Sequence, residues 1–134
     1  MRVLLIDDSR AMRTIVVRIL RNLGITDIAE AADGQQALGQ MDDGPTPDLA
    51  LVDWNMPVMN GLEFVMSVRK RPEFRSMAIM MVTSENEKSQ IVRALAAGAH
   101  EYLIKPFDAE ALIDKMALLG FPSPVDAEVE GAYS

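Results

Sequence analysis

Four short apolar runs, each ending in side chains that can do chemistry, constrain this chain more than any other feature. Val3-Leu4-Leu5-Ile6 runs into Asp7-Asp8, and Leu49-Ala50-Leu51-Val52 runs into Asp53. Ile79-Met80-Met81-Val82 runs into Thr83-Ser84, and Tyr102-Leu103-Ile104 runs into Lys105-Pro106. Continuous apolar runs suit strands buried on both faces, and helical patterns separate them, which predicts right-handed βαβ units and a parallel sheet. In such a sheet the C-terminal ends of the strands share one edge, and ligands bind there in open α/β folds. The predicted site therefore holds three carboxylates, one or two hydroxyls and one ammonium.

The intervening segments carry helix signals. Ser9 suits an N-cap, and Met12, Ile15, Val16, Ile19, Leu20 and Leu23 keep helical spacing up to Gly24. Ile28-Ala29 marks a weaker second strand. Asp33 can cap a second helix bearing Ala37, Leu38 and Met41, which ends near Asp43-Gly44-Pro45. Leu62, Phe64, Val65 and Val68 mark a third helix, with Pro72 beyond it. Ile91, Ala94 and Leu95 mark a fourth, opening at Glu87-Lys88 and stopped by Gly98. Asp108 caps the fifth, with Phe107 and Leu112 at the positions of a hydrophobic staple. Strands one, three and four are the most continuously apolar and should be central, leaving strands two and five as edges.

Composition narrows the class. The 134 residues suit one domain, and a net charge of −7 disfavours broad nucleic-acid binding. No apolar run reaches the roughly 20 residues of a membrane span, and no signal peptide is visible. With no cysteine there is no disulfide framework and no thiolate site. The expectation is a cytoplasmic protein folded over residues 1–121. Residues 122–134, with three acids and no base, read as a disordered or loosely attached tail.

Any one of the acids could be a plain cap or turn residue. Together they are hard to explain without a ligand. Two carboxylates about 4 Å apart repel by roughly 4 kcal/mol at an effective dielectric near 20, and one lysine cannot neutralise three acids. An all-oxygen donor set points to Mg²⁺, with Mn²⁺ or Ca²⁺ as alternatives. Mg²⁺ takes one or two carboxylates and keeps room for a phosphate oxygen, which leaves a carboxylate, a hydroxyl and an ammonium to handle an anion. A carboxylate can attack phosphorus and form an aspartyl phosphate. Asp53, single and on a more central strand, is the better candidate nucleophile, although spacing alone does not choose between the acids.

These pieces resemble the response-regulator receiver domains of two-component signalling. The resemblance rests on Asp7-Asp8-Ser9, Asp53-Trp54-Asn55-Met56-Pro57, Gly61, Val82-Thr83-Ser84-Glu85 and Tyr102 through Lys105-Pro106-Phe107. It covers residues 1 to about 119. It implies a flavodoxin-like, doubly wound α/β fold with five parallel strands in the order 2-1-3-4-5 and five helices, an order for which receivers themselves are a standing example. It implies that Asp53 takes a phosphoryl group from a sensor histidine kinase or a histidine phosphotransfer protein. Asp8, the Asp53 carboxylate and the Asn55 backbone carbonyl would bind Mg²⁺, with Asp7 acting through water. Lys105, its bond to Pro106 cis, and Thr83 would hold the phosphoryl oxygens, and Tyr102 would move with Thr83.

Trp54, Asn55, Glu85 and Tyr102 make the chain most similar to single-domain chemotaxis regulators. Asn55 and Glu85 would then tune loss of phosphate by positioning water. Ser84, where alanine is common, the less basic fourth helix and the acidic tail depart from that subgroup.

No output domain is visible after the receiver pattern. The expected output is a protein contact through helix four, strand five and helix five, from a monomer or a phosphorylation-dependent dimer. A phosphorelay intermediate handing phosphate onward is the alternative. A haloacid-dehalogenase-like phosphohydrolase would need an Asp-x-Asp motif, and the first strand ends Asp7-Asp8-Ser9. A flavin module would need a phosphate cradle where the two acids stand, and a docking protein that works unphosphorylated would not need the full acid, hydroxyl and lysine set. Trp54 reads as a loop aromatic, His100 as an exposed turn residue and Asn60-Gly61 as a turn.

Overall fold

The computed structural model describes residues 1–121, apart from the side chains of Glu85, Asn86 and Lys88. The expected tail, 122–134, lies outside the described residues. Five strands, β1 (Arg2–Ile6), β2 (Asp27–Ala31), β3 (Leu49–Asp53), β4 (Ala78–Thr83) and β5 (Glu101–Ile104), form one parallel sheet in the order β2-β1-β3-β4-β5. The helices α1 (Arg10–Asn22), α2 (Gly34–Asp43), α3 (Gly61–Arg69), α4 (Ile91–Ala97) and α5 (Ala109–Leu118) alternate with them.

The central strands are apolar throughout because each face meets its own helical layer. Leu4, Ile6, Ala50, Val52, Ile79 and Met81 point to one side and pack with Ala37, Phe64, Val65 and Ala94 of α2, α3 and α4. Val3, Leu5, Leu49, Leu51, Met80 and Val82 point to the other and pack with Val16, Leu20, Leu112 and Met116 of α1 and α5. This is the period of two that a pleated strand imposes.

The helix starts follow the sequence. Ser9, Asp33 and Asp108 each accept a hydrogen bond from a first-turn backbone N–H. Asn60 does more than turn the chain: it caps α3 in a reciprocal capping box with Glu63. Three other expectations need correction. Ile15 is 52% exposed, because it stands about 100° round the helix from Val16, outside the stripe that meets the sheet. The fourth helix does not open at Glu87-Lys88; residues Glu85–Gln90 form a 3-10 turn and α4 starts at Ile91. Trp54 is buried in the core beside α3 rather than lying in an open loop.

Candidate functional site

The ladders of the sheet run one residue past the strands and fix the site. The Asp7 N–H donates to the Ala31 carbonyl (3.1 Å), Trp54 N–H to Val82 (3.1 Å) and Lys105 N–H to Thr83 (2.7 Å). Asp7, Asp53, Thr83 and Lys105 are thereby held on one edge by backbone, not by loop packing. Gly61 completes the frame. A Cβ there would lie 2.5 Å from the Asp53 carbonyl oxygen and 2.8 Å from Met81 Cε, so only glycine lets α3 begin this close to the end of β3.

Carboxylate oxygens of Asp7, Asp8 and Asp53 lie within 4.8 Å of one another. Asp7 and Asp53 are buried and Asp8 is exposed, which leaves the group open on one side. The Lys105 ammonium donates to Asp53 Oδ1 at 3.0 Å and to Asp7 Oδ2 at 3.3 Å. Asp7 also has a local task, since its Oδ1 accepts from the Ser9 N–H at 2.8 Å. A second cation is near: Arg13 Nη1 donates to the Asp7 carbonyl at 2.6 Å, while its Nε pairs with Glu30 at 3.2 Å. Arg13 does not remove the acidic excess, because Glu30 already shares its charge.

The electrostatics follow. Burial pushes the Asp53 carboxyl from an ordinary value near 3.8 up to about 6; the Lys105 hydrogen bond pulls it back, and the Asp7 charge pushes it up again. Burial pulls the Lys105 ammonium down, but its hydrogen bond to Asp53 and the charges of Asp53 and Asp7 outweigh that, so its pKa rises. Three oxygen donors with surplus negative charge and an open side fit a hard divalent cation that keeps some of its own water. Among the described residues no buried side-chain polar atom lacks a partner.

The remaining predicted residues fall around this core. Thr83, 1% exposed, ends β4 and donates its hydroxyl to Glu87 Oε2 at 3.1 Å. Asn55, two residues beyond Asp53, donates its side-chain amide to Glu87 Oε1. Tyr102 is half-buried on β5 beside Met81, with the Lys115 ammonium 4.0 Å from its ring centre and bonded to Glu101 at 2.8 Å. The Lys105–Pro106 bond is cis. The Glu85 side chain lies outside what the structure describes.

Glu87 was not singled out from sequence. Its separation of four from Thr83 was the available signal, since that spacing returns a side chain to the same face of a helical turn. His100 also does more than sit in a turn. Its Nδ1 accepts from the Ile79 N–H at 3.1 Å and lies 3.4 Å from Arg69; burial, then the Arg69 charge, keeps its pKa low. Arg69 in turn donates to the carbonyls of Gly98 and Met77 at 2.9 Å. These groups brace the β4–β5 side far from the acids.

A doubly wound parallel sheet whose strand-end acids gather round one lysine defines a narrow class, and comparison with known proteins agrees. The family model "Response regulator receiver domain" matches residues 3–117. Chemotaxis protein CheY1 of Helicobacter pylori is 38% identical over 119 residues, 89% of this chain and 96% of that protein. Chemotaxis protein CheY of Pseudomonas aeruginosa is 40% identical over 116 residues, 87% of this chain and 93% of that protein. The crystal structure of chemotaxis protein CheY4 of Vibrio cholerae superposes with a TM-score of 0.78 at 35% identity, covering 87% of this chain and 96% of that one. The chain belongs to the response-regulator receiver family. No helix among the described residues is long and apolar enough to cross a membrane.

Proposed function

We propose that this chain is a phosphorylation switch in which Asp53 is the acceptor and a protein contact is the output. One observation carries the proposal: a single ammonium, Lys105, is shared between Asp53 and Asp7 at 3.0 and 3.3 Å while Asp8 completes an acid group around them. The likeness to chemotaxis proteins supports a role in chemotaxis-type signalling and a cytoplasmic setting.

The phosphoryl donor is the phosphohistidine of a sensor kinase or phosphotransfer protein. One carboxylate oxygen of Asp53 attacks phosphorus. A new O–P bond forms as the P–N bond to the donor imidazole breaks. Even with its pKa raised to about 6, Asp53 is mostly ionised at neutral pH, as a nucleophile must be. Asp8, Asp53 and the Asn55 carbonyl would hold Mg²⁺, with Asp7 assisting through water, and the ion would neutralise charge on the acids and the transferring group. Lys105 neutralises a phosphoryl oxygen, and the Thr83 hydroxyl binds another. Asn55 and Glu85 tune the lifetime of the phosphate by positioning water.

The readout surface is α4, β5 and α5. On this surface Val92 is 72% and Leu95 40% exposed on α4, and the Lys115 ammonium of α5 lies 4.0 Å from the Tyr102 ring of β5, so it offers apolar and basic groups to a partner. Movement of Thr83 toward the phosphoryl group alters the space open to Tyr102. The protein is a monomer, or a dimer once phosphorylated.

The test is incubation with a small acyl phosphate and Mg²⁺. The wild type should gain the mass of one phosphoryl group, lost in hydroxylamine, and Asp53→Asn should gain none. Label that stays on Thr83 or Ser84 would overturn the assignment, and sustained turnover of many phosphates per chain would favour a hydrolase.

A further inference from the structure

Glu87 stands on the 3-10 turn between β4 and α4, yet its side chain reaches back to the strand-end site. Its two oxygens take two donors from two strand ends: the Thr83 hydroxyl on the last residue of β4 and the Asn55 amide in the loop after β3. Thr83 is almost wholly buried, so its hydroxyl needs an acceptor from the protein. A fourth carboxylate beside an edge already rich in acids is electrostatically unfavourable. Its position there is explained by the donors it satisfies. A phosphoryl group on Asp53 would bring three anionic acceptor oxygens to the same hydroxyl. Two anions competing for one donor cannot both keep it.

We propose that Glu87 is an internal anionic latch, standing in for the phosphoryl group at Thr83 and Asn55 in the resting state and expelled when that group arrives. The inference rests on Asp53 being the phospho-acceptor. Two consequences follow. The latch opposes capture of the anion, because the Thr83 hydroxyl must first be released and a like charge displaced. It also links the site to the readout face directly: releasing Glu87 frees the turn that leads into α4, whose Val92 and Leu95 are exposed. The competing reading is a surface acid that merely completes a turn. That reading gives Glu87 no influence on anion binding beyond general charge.

The test is the affinity of the full chain, with Mg²⁺ at saturation, for beryllium fluoride as a stable phosphoryl mimic, measured by calorimetry. Glu87→Ala should bind about tenfold more tightly than the wild type, since a charge-assisted hydrogen bond no longer has to be broken. Glu87→Gln, which keeps an acceptor but not the charge, should fall between them. Glu110→Ala, removing an exposed acid on α5, should change nothing. In a Thr83→Ala background the further change Glu87→Ala should give a clearly smaller gain, because no hydroxyl remains to be released and only the Asn55 bond and the like charge are left. Melting curves confirm that each variant is folded.

If the wild type binds and Glu87→Ala binds no better, the latch is wrong and the switch stands. A gain equally large in the Thr83→Ala background would make the effect one of general charge and would also overturn the latch. If neither wild type nor Glu87→Ala binds the mimic, the phospho-acceptor reading fails and takes the latch with it.

Discussion

The two ends of the sheet use the same residue types to opposite effect. At the N-terminal edge Arg2 pairs with Asp27 at 2.8 Å, side chains 30% and 58% exposed, and the Arg2 N–H donates to Asp48 at 2.7 Å. Charges there are matched and wet. At the C-terminal edge three acids cluster where Lys105 pairs with only two of them, Asp7 and Asp53, whose side chains are 5% and 9% exposed. Matched, exposed pairs contribute little and hold nothing in reserve. A buried surplus of one sign is a standing cost unless a ligand relieves it, and that difference separates the site from the scaffold.

The largest contrast between the ends should be kinetic. Lys105→Ala removes the charge at the transferring group and should slow phosphorylation of Asp53 by about 10²–10³-fold. Arg2→Ala, at the other end, should change the rate less than about twofold. Stopped-flow kinetics with a small phosphodonor read both, and comparable losses would erase the distinction.

Crowding should differ as well. Gly61→Ala drives a methyl into the Asp53 carbonyl, a backbone atom that cannot swing aside, and should cost about 2–3 kcal/mol. Gly39 in α2, near the N-terminal edge, has no neighbouring element within 4 Å of where a methyl would stand. Gly39→Ala should therefore stabilise by about 0.5–1 kcal/mol through helix propensity. Urea midpoints measure each, and a tolerated Gly61→Ala would mean the loop after β3 can retreat.

The sign of the pH response sharpens the comparison next. With its pKa raised to about 6 from near 3.8, Asp53 takes up a proton in the folded chain before it does in the unfolded one. In chelator its contribution to stability is therefore full below the unfolded value and is lost as pH rises through about 6. Asp53→Asn should exceed the wild type by about 1–2 kcal/mol at pH 7.5, the full linkage value being discounted for solvent and for Lys105. That gap should narrow as pH falls through about 6 and close only near 3.8. A gap that widens would reverse the sign. The smallest effect belongs to the scaffold: Asp27→Ala should cost no more than about 0.5 kcal/mol, less in high salt.

The strands, the split into central and edge strands, and the gathering of Asp7, Asp8, Asp53, Thr83 and Lys105 were legible because a strand buried on both faces reads as an unbroken apolar run; the full order came from the family resemblance. Where each run stops, the edge begins, so the chemistry is marked by position. Caps at Ser9, Asp33 and Asp108 were legible for a similarly local reason.

What escaped depends on three-dimensional reach. The Glu87 bonds exist because a 3-10 turn, not the first turn of α4, follows β4. Trp54 reads as a loop residue until the start of α3 closes over it. His100 is an acceptor only because β4 brings the Ile79 N–H alongside. Val58, exposed and at φ 68 in the loop after Asp53, shows no trace in sequence of a backbone that β-branched residues rarely adopt.

The central claim is that the acids at the C-terminal edge are held in surplus for a cation. The most direct measurement is the melting temperature of wild type and Asp53→Asn, side by side at pH 7.5, in chelator and in saturating Mg²⁺. In chelator Asp53→Asn should melt higher, because one repelling charge is gone. In Mg²⁺ the order should reverse, because the wild type binds the ion more tightly and is stabilised by more. The same order in both conditions, with equal Mg²⁺ shifts for the two proteins, would contradict the account.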